Sequence, residues 1–270
     1  IFVANSVLML TITTREKLSE QLHKARQEAK TIAFVPTMGA LHEGHLSLLK
    51  PAMEEHPLAV VSIFVNPRQF NNPEDLLKYP RMPEKDLKML DSVLRENDIV
   101  FCPREEEVYT DNNVRHFNLG SLEKVLEGAF RPGHFQGVAE VVSRLFDLVQ
   151  PHAAYFGSKD LQQVAVIRHM CRLQGYNIRI ESCPIIRENN GLAMSSRNQL
   201  LPPKVRQQAA VIFRTLLEAK NRTNMLSVKQ LKEFIHSRIE AVEPFEPEYV
   251  EIVNKRTFEI IENWGDMLPT

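Results

Sequence analysis

Cysteine is scarce in this chain, and its scarcity is the first exclusion. Cys102, Cys171 and Cys183 are the three in 270 residues, with no C-x-x-C pair, in a chain large enough not to need covalent staples; they read as core thiols in a reducing cytosol, so a cytoplasmic location is expected. An excess of one charge is missing too. Lys and Arg number 33 against 34 Asp and Glu, scattered rather than gathered into a stripe, which argues against nucleic acid as a partner. No apolar run approaches the roughly 20 residues of a membrane helix, so no membrane partner is expected. The apolar opening 1–8 lacks a basic n-region and does not read as a signal peptide, and Met9 is a candidate natural start. Internal repeats and low-complexity tracts are absent as well.

What is present is alternation. Helical periodicity at 15–29 precedes a buried strand at 31–35, a helix carrying Leu46, Leu48, Leu49 and Met53, and a strand at 58–65. A loop at 66–83 leads to a helix at 84–96, a short strand at 99–102, a helix at 138–149, a strand at 153–156, a helix at 161–173 and a strand at 177–182. Strands and helices alternating over this length predict an α/β fold, a parallel sheet covered on both faces, whose ligands lie beyond the carboxyl ends of its strands. After Leu201-Pro202-Pro203 the pattern changes to helices at 205–220 and 227–242 and strand candidates at 249–253 and 258–261, a small α+β module. Two domains are therefore expected, 1–186 and 187–270, the second carrying the loop around Ser195.

Polar or glycine-containing segments follow several of these strands. Met38-Gly39-Ala40-Leu41-His42-Glu43-Gly44-His45 joins a buried strand to a helix, an arrangement that offers unpaired backbone N–H groups, a positive helix end and two imidazoles to a phosphate chain; Gly44 would keep a Cβ out of the way. Two ordinary histidines at a helix start remain an alternative. Gly157-Ser158-Lys159-Asp160 repeats the strand-to-helix pattern: Lys159 is a mobile cation for phosphate, Asp160 either caps the helix or accepts ribose hydroxyls, and Gln163 faces the same mouth. Met194-Ser195-Ser196-Arg197 supplies hydroxyls and a guanidinium suited to a triphosphate whose charge shifts as a bond breaks, or is a plain polar turn. Asn66 to Asn71 places amides, Gln69 among them, at a strand end where they can read a small polar substrate. Arg131, in the glycine-rich stretch 128–137, serves either pyrophosphate or packing, and Asp86 with Glu84 is a weak candidate for a magnesium-bound water shell.

Five segments in order, P-T-M-G-A-L-H-E-G-H, F-V-N-P-R-Q-F, F-R-P-G-H-F-Q-G-V, Y-F-G-S-K-D-x-Q-Q and R-E-N-N-G-L-A-M-S-S-R-N, resemble the pantothenate synthetase (pantoate–β-alanine ligase) family over roughly 10–265. The resemblance implies a Rossmann-like doubly wound sheet of the nucleotidyltransferase superfamily with a small C-terminal lid, and a homodimer. It also implies adenylation of pantoate by ATP with Mg2+ as cofactor, release of pyrophosphate, and attack of β-alanine on the adenylate to give pantothenate and AMP. By the same resemblance His42, a proton donor, acts with His45, Lys159, Ser195, Ser196 and Arg197 on the phosphates. Met38, Gly157, Asp160, Ile186 and Met194 would line the ATP site, and Gln69 and Gln163 would hold pantoate, Gln69 also touching β-alanine. Ser158 and Lys85 depart from the commoner family residues, and Thr270 reads as an early terminus because members continue with a further strand. A nucleotidyltransferase of the same fold acting on another acid or on a phosphate, or a non-catalytic nucleotide binder, remains as a rival. Gln69 and Gln163 weigh against a phosphorylated substrate, which would want cations there.

Overall fold

The computed structural model describes residues 9–111 and 113–267. The readings of 1–8 and of the terminus at Thr270 lie outside them. In chain order the main elements are β1 (Leu10–Ile12), α1 (Arg15–Gln27), β2 (Ile32–Thr37), α2 (Glu43–Glu55), β3 (Leu58–Ile63), α3 (Pro73–Lys78), α4 (Pro83–Asp91), β4 (Ile99–Phe101), α5 (Glu105–Val108), α6 (Glu127–Phe130), α7 (His134–Val149), β5 (Ala153–Gly157), α8 (Leu161–Gln174), β6 (Arg179–Cys183), α9 (Pro203–Gln208), α10 (Ala210–Lys220) and α11 (Val228–Glu240). They form two compact units, 1–119 with 133–185 and 120–132 with 186–270. By its contacts the stretch 120–132, which the sequence reading left in the first domain, belongs to the second unit.

The first unit is built on a parallel sheet in the order β1-β4-β3-β2-β5-β6. Both faces are covered, so the central strands are apolar throughout rather than alternating. Ile32, Ala33, Phe34 and Val35 of β2 and Ala59, Val60 and Val61 of β3 are almost wholly buried, each larger side chain contributing roughly 1.5–3 kcal/mol by leaving water. The chain runs from β2 outward through β3 to β4 on one side and from β5 to β6 on the other. The reversal falls between β2 and β5, the crevice where sheets of this topology receive ligands.

The expected elements of the first unit are present with shifted ends. α7 begins four residues before the periodicity suggests, because Gly133 takes a left-handed conformation and His134 Nδ1 donates to the Gln69 carbonyl at 2.8 Å. α4 stops early because the Arg95 backbone N–H donates to the buried Asp98 carboxylate, whose other oxygen accepts from Ala59 N. The presumed loop at 66–83 contains a 3-10 turn, Pro67–Gln69, as well as α3; each starts with an asparagine cap followed by proline.

The second unit packs α10 and α11 around Ala219, Leu231, Ile235 and Ile239. The helix expected at 205–220 is divided at Ala209 into α9 and α10. The strands expected at 249–253 and 258–261 reduce to a single antiparallel bridge between Val253 and Ile260. Phe258, at a positive φ of 61°, closes the turn that joins the two segments, and Asn254 N donating to the Glu259 carbonyl and Ile261 N donating to the Ile252 carbonyl flank the bridge.

Candidate active site

At the carboxyl end of β2, Thr37 Oγ1 donates to the Ser62 carbonyl at 2.7 Å and accepts from Gly39 N at 3.2 Å, turning the chain as the strand ends. Gly39 and Ala40 then adopt positive φ values of 78° and 48°. The turn is clamped by Asp86, whose two carboxylate oxygens accept from Ala40 N at 2.8 Å and Leu41 N at 2.7 Å. Gly39 is fixed by sterics as well as by φ, since a Cβ would lie 2.9 Å from Asp86 Oδ2 and 3.1 Å from Ile63 Cγ2. Burial raises the Asp86 carboxyl above its ordinary range, and the two amides pull it partly back. The residue expected as a metal candidate thus anchors the loop, and no group of three or more His, Cys, Asp or Glu able to hold a metal ion occurs among the described residues.

His42 and His45 open α2 as a reciprocal cap. Gly44 N donates to His42 Nδ1 at 3.1 Å and His42 N donates to His45 Nδ1 at 3.3 Å, an imidazole version of the capping box. A backbone N–H can only donate, so each Nδ1 is an acceptor and the ring proton sits on Nε2. The rings lie 4.1 Å apart between centroids. Burial first, then the neighbouring His42 and Lys159, push the His45 pKa down to about 3. The structure therefore brings Lys159 within electrostatic reach of His45 and favours the neutral form of that ring.

Beyond β5, Ser158 Oγ donates to the Cys183 carbonyl at 2.6 Å and meets Ser182 Oγ at 2.9 Å, tying the start of α8 to β6. This side chain is a splice between strands. Lys159 and Asp160 are exposed and ion-paired at 3.3 Å. Asp160 occupies the cap position of α8 but makes no side-chain cap bond, which removes the plain-cap reading. Gln163 sits half-buried on the first turn of that helix.

Gln69, at the carboxyl side of β3, is buried. Its Nε2 donates to Met38 Sδ at 3.0 Å and its Oε1 accepts from Asn66 Nδ2 at 3.2 Å. Asn66 Nδ2 also donates to the Gly137 carbonyl at 3.1 Å. The first turn of α7 presses against this segment so closely that a Cβ on Gly137 would lie 2.3 Å from the Arg68 carbonyl oxygen.

Within the second unit, Ile186 to Met194 form a hairpin closed by the Arg187–Ala193 bridge and by Met194 N donating to the Ile186 carbonyl at 3.0 Å. Gly191 turns it at a φ of 96°, and Arg187 stacks 3.7 Å from the centre of the Phe213 ring. Ser195 Oγ accepts from Arg197 N at 3.3 Å, and Ser196 is buried. The loop is held by Asn198, whose Nδ2 donates to Glu188 Oε1 at 2.8 Å and to the Ala193 carbonyl at 3.0 Å, while Arg206 pairs with Glu188 at 2.9 Å. Arg131 lies 3.8 Å from Glu127 and has an intra-unit anion for partner.

Sequence reasoning missed the supporting shell: Asp86 as clamp, Tyr109 and Glu140 behind Gln69, and Glu188, Asn198 and Arg206 behind the serines; it read Asn66 as one of the substrate-reading amides, whereas its amide bonds Gln69, Tyr109 and backbone. Only Asn66 carried a local signal, an Asn-Pro cap. Asn198 acts over five to ten residues, and Asp86, Tyr109 and Glu140 act across longer stretches of chain.

A family model described as pantoate-beta-alanine ligase matches residues 10–268. The chain belongs to that family. It is 47% identical over 260 residues to the pantothenate synthetase of Azobacteroides pseudotrichonymphae genomovar. CFP2, spanning 96% of this chain and 92% of that protein. The crystal structure of pantothenate synthetase from Thermus thermophilus superposes with a TM-score of 0.87 at 41% identity, covering 95% of this chain and 91% of that one. The ligase from Francisella tularensis, solved with beta-gamma ATP and beta-alanine, matches with a TM-score of 0.76 at 36% identity over 86% of each chain.

Proposed function

We propose that this chain joins pantoate to β-alanine at the expense of ATP, through a pantoyl adenylate. The observation that carries the reading is the pair of imidazoles at the switch point, each with Nδ1 tied to the backbone and its proton on Nε2. Neutral N–H donors at a helix N-terminus suit an α-phosphate whose charge grows as the pantoate carboxylate attacks phosphorus and the bond to pyrophosphate breaks. Lys159 adds a mobile cation, and Ser195, Ser196 and Arg197 add hydroxyls and a guanidinium for the phosphates. By the family resemblance, Gly39, Ala40, Leu41, Glu43 and Gly44 would supply backbone to ATP, and Met38, Gly157, Ser158, Asp160, Ile186 and Met194 would be nucleotide-contacting residues.

Gln69 and Gln163 hold pantoate as uncharged groups. In the second half-reaction the β-alanine amine attacks the acyl carbon, the bond to AMP breaks, and the nitrogen loses a proton as the amide forms. No protein nucleophile is needed, because position and charge do the chemistry. Magnesium would arrive with ATP as part of the substrate: no group of three or more His, Cys, Asp or Glu able to hold a metal ion occurs among the described residues, and Mg2+ commonly keeps its waters and phosphate ligands. Family resemblance supports a homodimer, and three thiols, two of them buried, suit a cytoplasmic setting.

Pyrophosphate release from Mg-ATP tests the reading. It should depend on pantoate, and added β-alanine should yield AMP and pantothenate in equal amounts. His42→Ala should lower kcat about 10²–10³-fold by removing one transition-state donor. Release that ignores pantoate would favour a nucleotidyltransferase for another acid.

A further inference from the structure

The Gln69 side chain is the last link of a buried chain of hydrogen bonds that starts at an aromatic residue 40 positions away in sequence. Tyr109 is buried, and its hydroxyl donates to Asn66 Oδ1 at 2.7 Å. Arg68 N donates to the same oxygen at 3.2 Å. Asn66 Nδ2 faces the Gly137 carbonyl and Gln69 Oε1. The Tyr109 hydroxyl, in the shortest bond of the three, and the Arg68 N–H on the oxygen side act together with the Gly137 carbonyl on the nitrogen side to hold the Asn66 amide in one orientation. That orientation dictates the next: Gln69 Oε1 is occupied as an acceptor, so Nε2 is the atom presented beside Met38. A carboxylate-bearing acid needs a donor there, and a flipped amide would meet it with an oxygen.

The Tyr109 ring is itself held in place. The Arg68 guanidinium lies 3.8 Å and that of Arg144 lies 5.0 Å from its centroid. Both cations bond the buried Glu140 carboxylate, Arg68 at 2.8 Å and Arg144 at 3.3 Å. Cations over an aromatic face, themselves fixed by a desolvated carboxylate, leave the ring little freedom. Burial, with Glu140 adding to it, pushes the phenol well above its ordinary pKa, so the hydroxyl remains a donor at every working pH.

We propose that Tyr109 is a positioning residue for the acid substrate: acting through Asn66, its hydroxyl fixes the Gln69 amide with Nε2 toward pantoate. The inference rests on the reading of Gln69 as a pantoate-holding residue. Tyr109→Phe deletes one oxygen and leaves the ring between its cations. It should raise the KM for pantoate about tenfold, the effect of one buried hydrogen bond, with kcat and the KM for ATP changed less than about twofold. In a Gln69→Ala background the same substitution should do nothing further, because Tyr109 works through that amide.

An unchanged pantoate KM overturns the inference, as do independent, multiplying effects of the two substitutions or a parallel loss in kcat and ATP affinity. Should Tyr109→Phe fail to fold, Asn66→Asp removes the donor at the next link while keeping its shape and is read by the same cycle. A wild-type protein whose pyrophosphate release ignores pantoate overturns the functional reading instead, before any variant is made.

Discussion

At the residue scale, the loop that bears the two imidazoles depends on Asp86, a carboxylate from a helix 45 positions further along. Two backbone N–H groups, those of Ala40 and Leu41, have this side chain as acceptor in a place shut off from water. Asp86→Ala leaves both amides buried without that partner, a loss of about 2–5 kcal/mol. Urea unfolding should show the midpoint falling with little change in slope, and kcat should fall with it because the histidine cap begins two residues on. A variant as stable as the parent would mean that water or another group replaces the carboxylate. The sequence made His42, His45, Lys159 and Gln69 visible because their types and spacing suggest chemistry by themselves. Asp86 was visible only as a candidate, with Glu84, for holding a magnesium-bound water shell, since a pattern along the chain cannot state that its oxygens face two amides of a distant turn.

At the element scale, the strands of the first unit were legible because burial on both faces writes itself as unbroken apolar runs, and α1, α2 and α8 because their periodicity is strong. β1 was not, being three residues long and next to the apolar opening. The strand candidates at 249–253 and 258–261 had strand-like composition, but they pair only around one bridge, beside a turn that the left-handed Phe258 closes. Where two elements touch also escaped the pattern. α7 meets the turn at Pro67–Gln69 through Gly137, and a methyl there would need Arg68 or the helix to move, given 2.3 Å to the Arg68 oxygen and 2.7 Å to the Gln69 Cα. Gly137→Ala should cost about 1–3 kcal/mol through overpacking against backbone. It should also raise the KM for pantoate more than that for ATP, because the displaced segment carries Gln69. Steady-state kinetics with each substrate varied separately would check this, and equal effects on both substrates would place the strain elsewhere.

At the scale of the whole molecule, a loss of stability in acid follows from histidines that the fold keeps neutral. The His45 pKa is pushed down to about 3 by burial, then by His42 and Lys159. His56, buried beside Tyr155, is lowered by burial first, then by Arg179 and His152, with Glu55 opposing. In the unfolded chain each ring binds a proton near pH 6.5, while in the folded chain it does so only at lower pH. The unfolded state therefore binds more protons as pH falls below about 6.5, so stability declines there, by at most about 1.4 kcal/mol per pH unit per histidine. Carboxylates whose pKa values are lowered in the fold, such as Glu55 and Asp111, act in the same direction but only below the ordinary carboxylate range. The melting temperature should thus begin to drop between pH 6.5 and 5, ahead of the carboxylates, and by roughly 2–4 °C for each kcal/mol lost in a chain of this size. Calorimetry at pH 7.5, 6.5, 5.5 and 5.0 would trace the slope, and His45→Gln with His56→Gln should flatten it. A parent whose melting temperature is level down to pH 5 would show that both rings take up protons in the folded state as readily as in the unfolded chain.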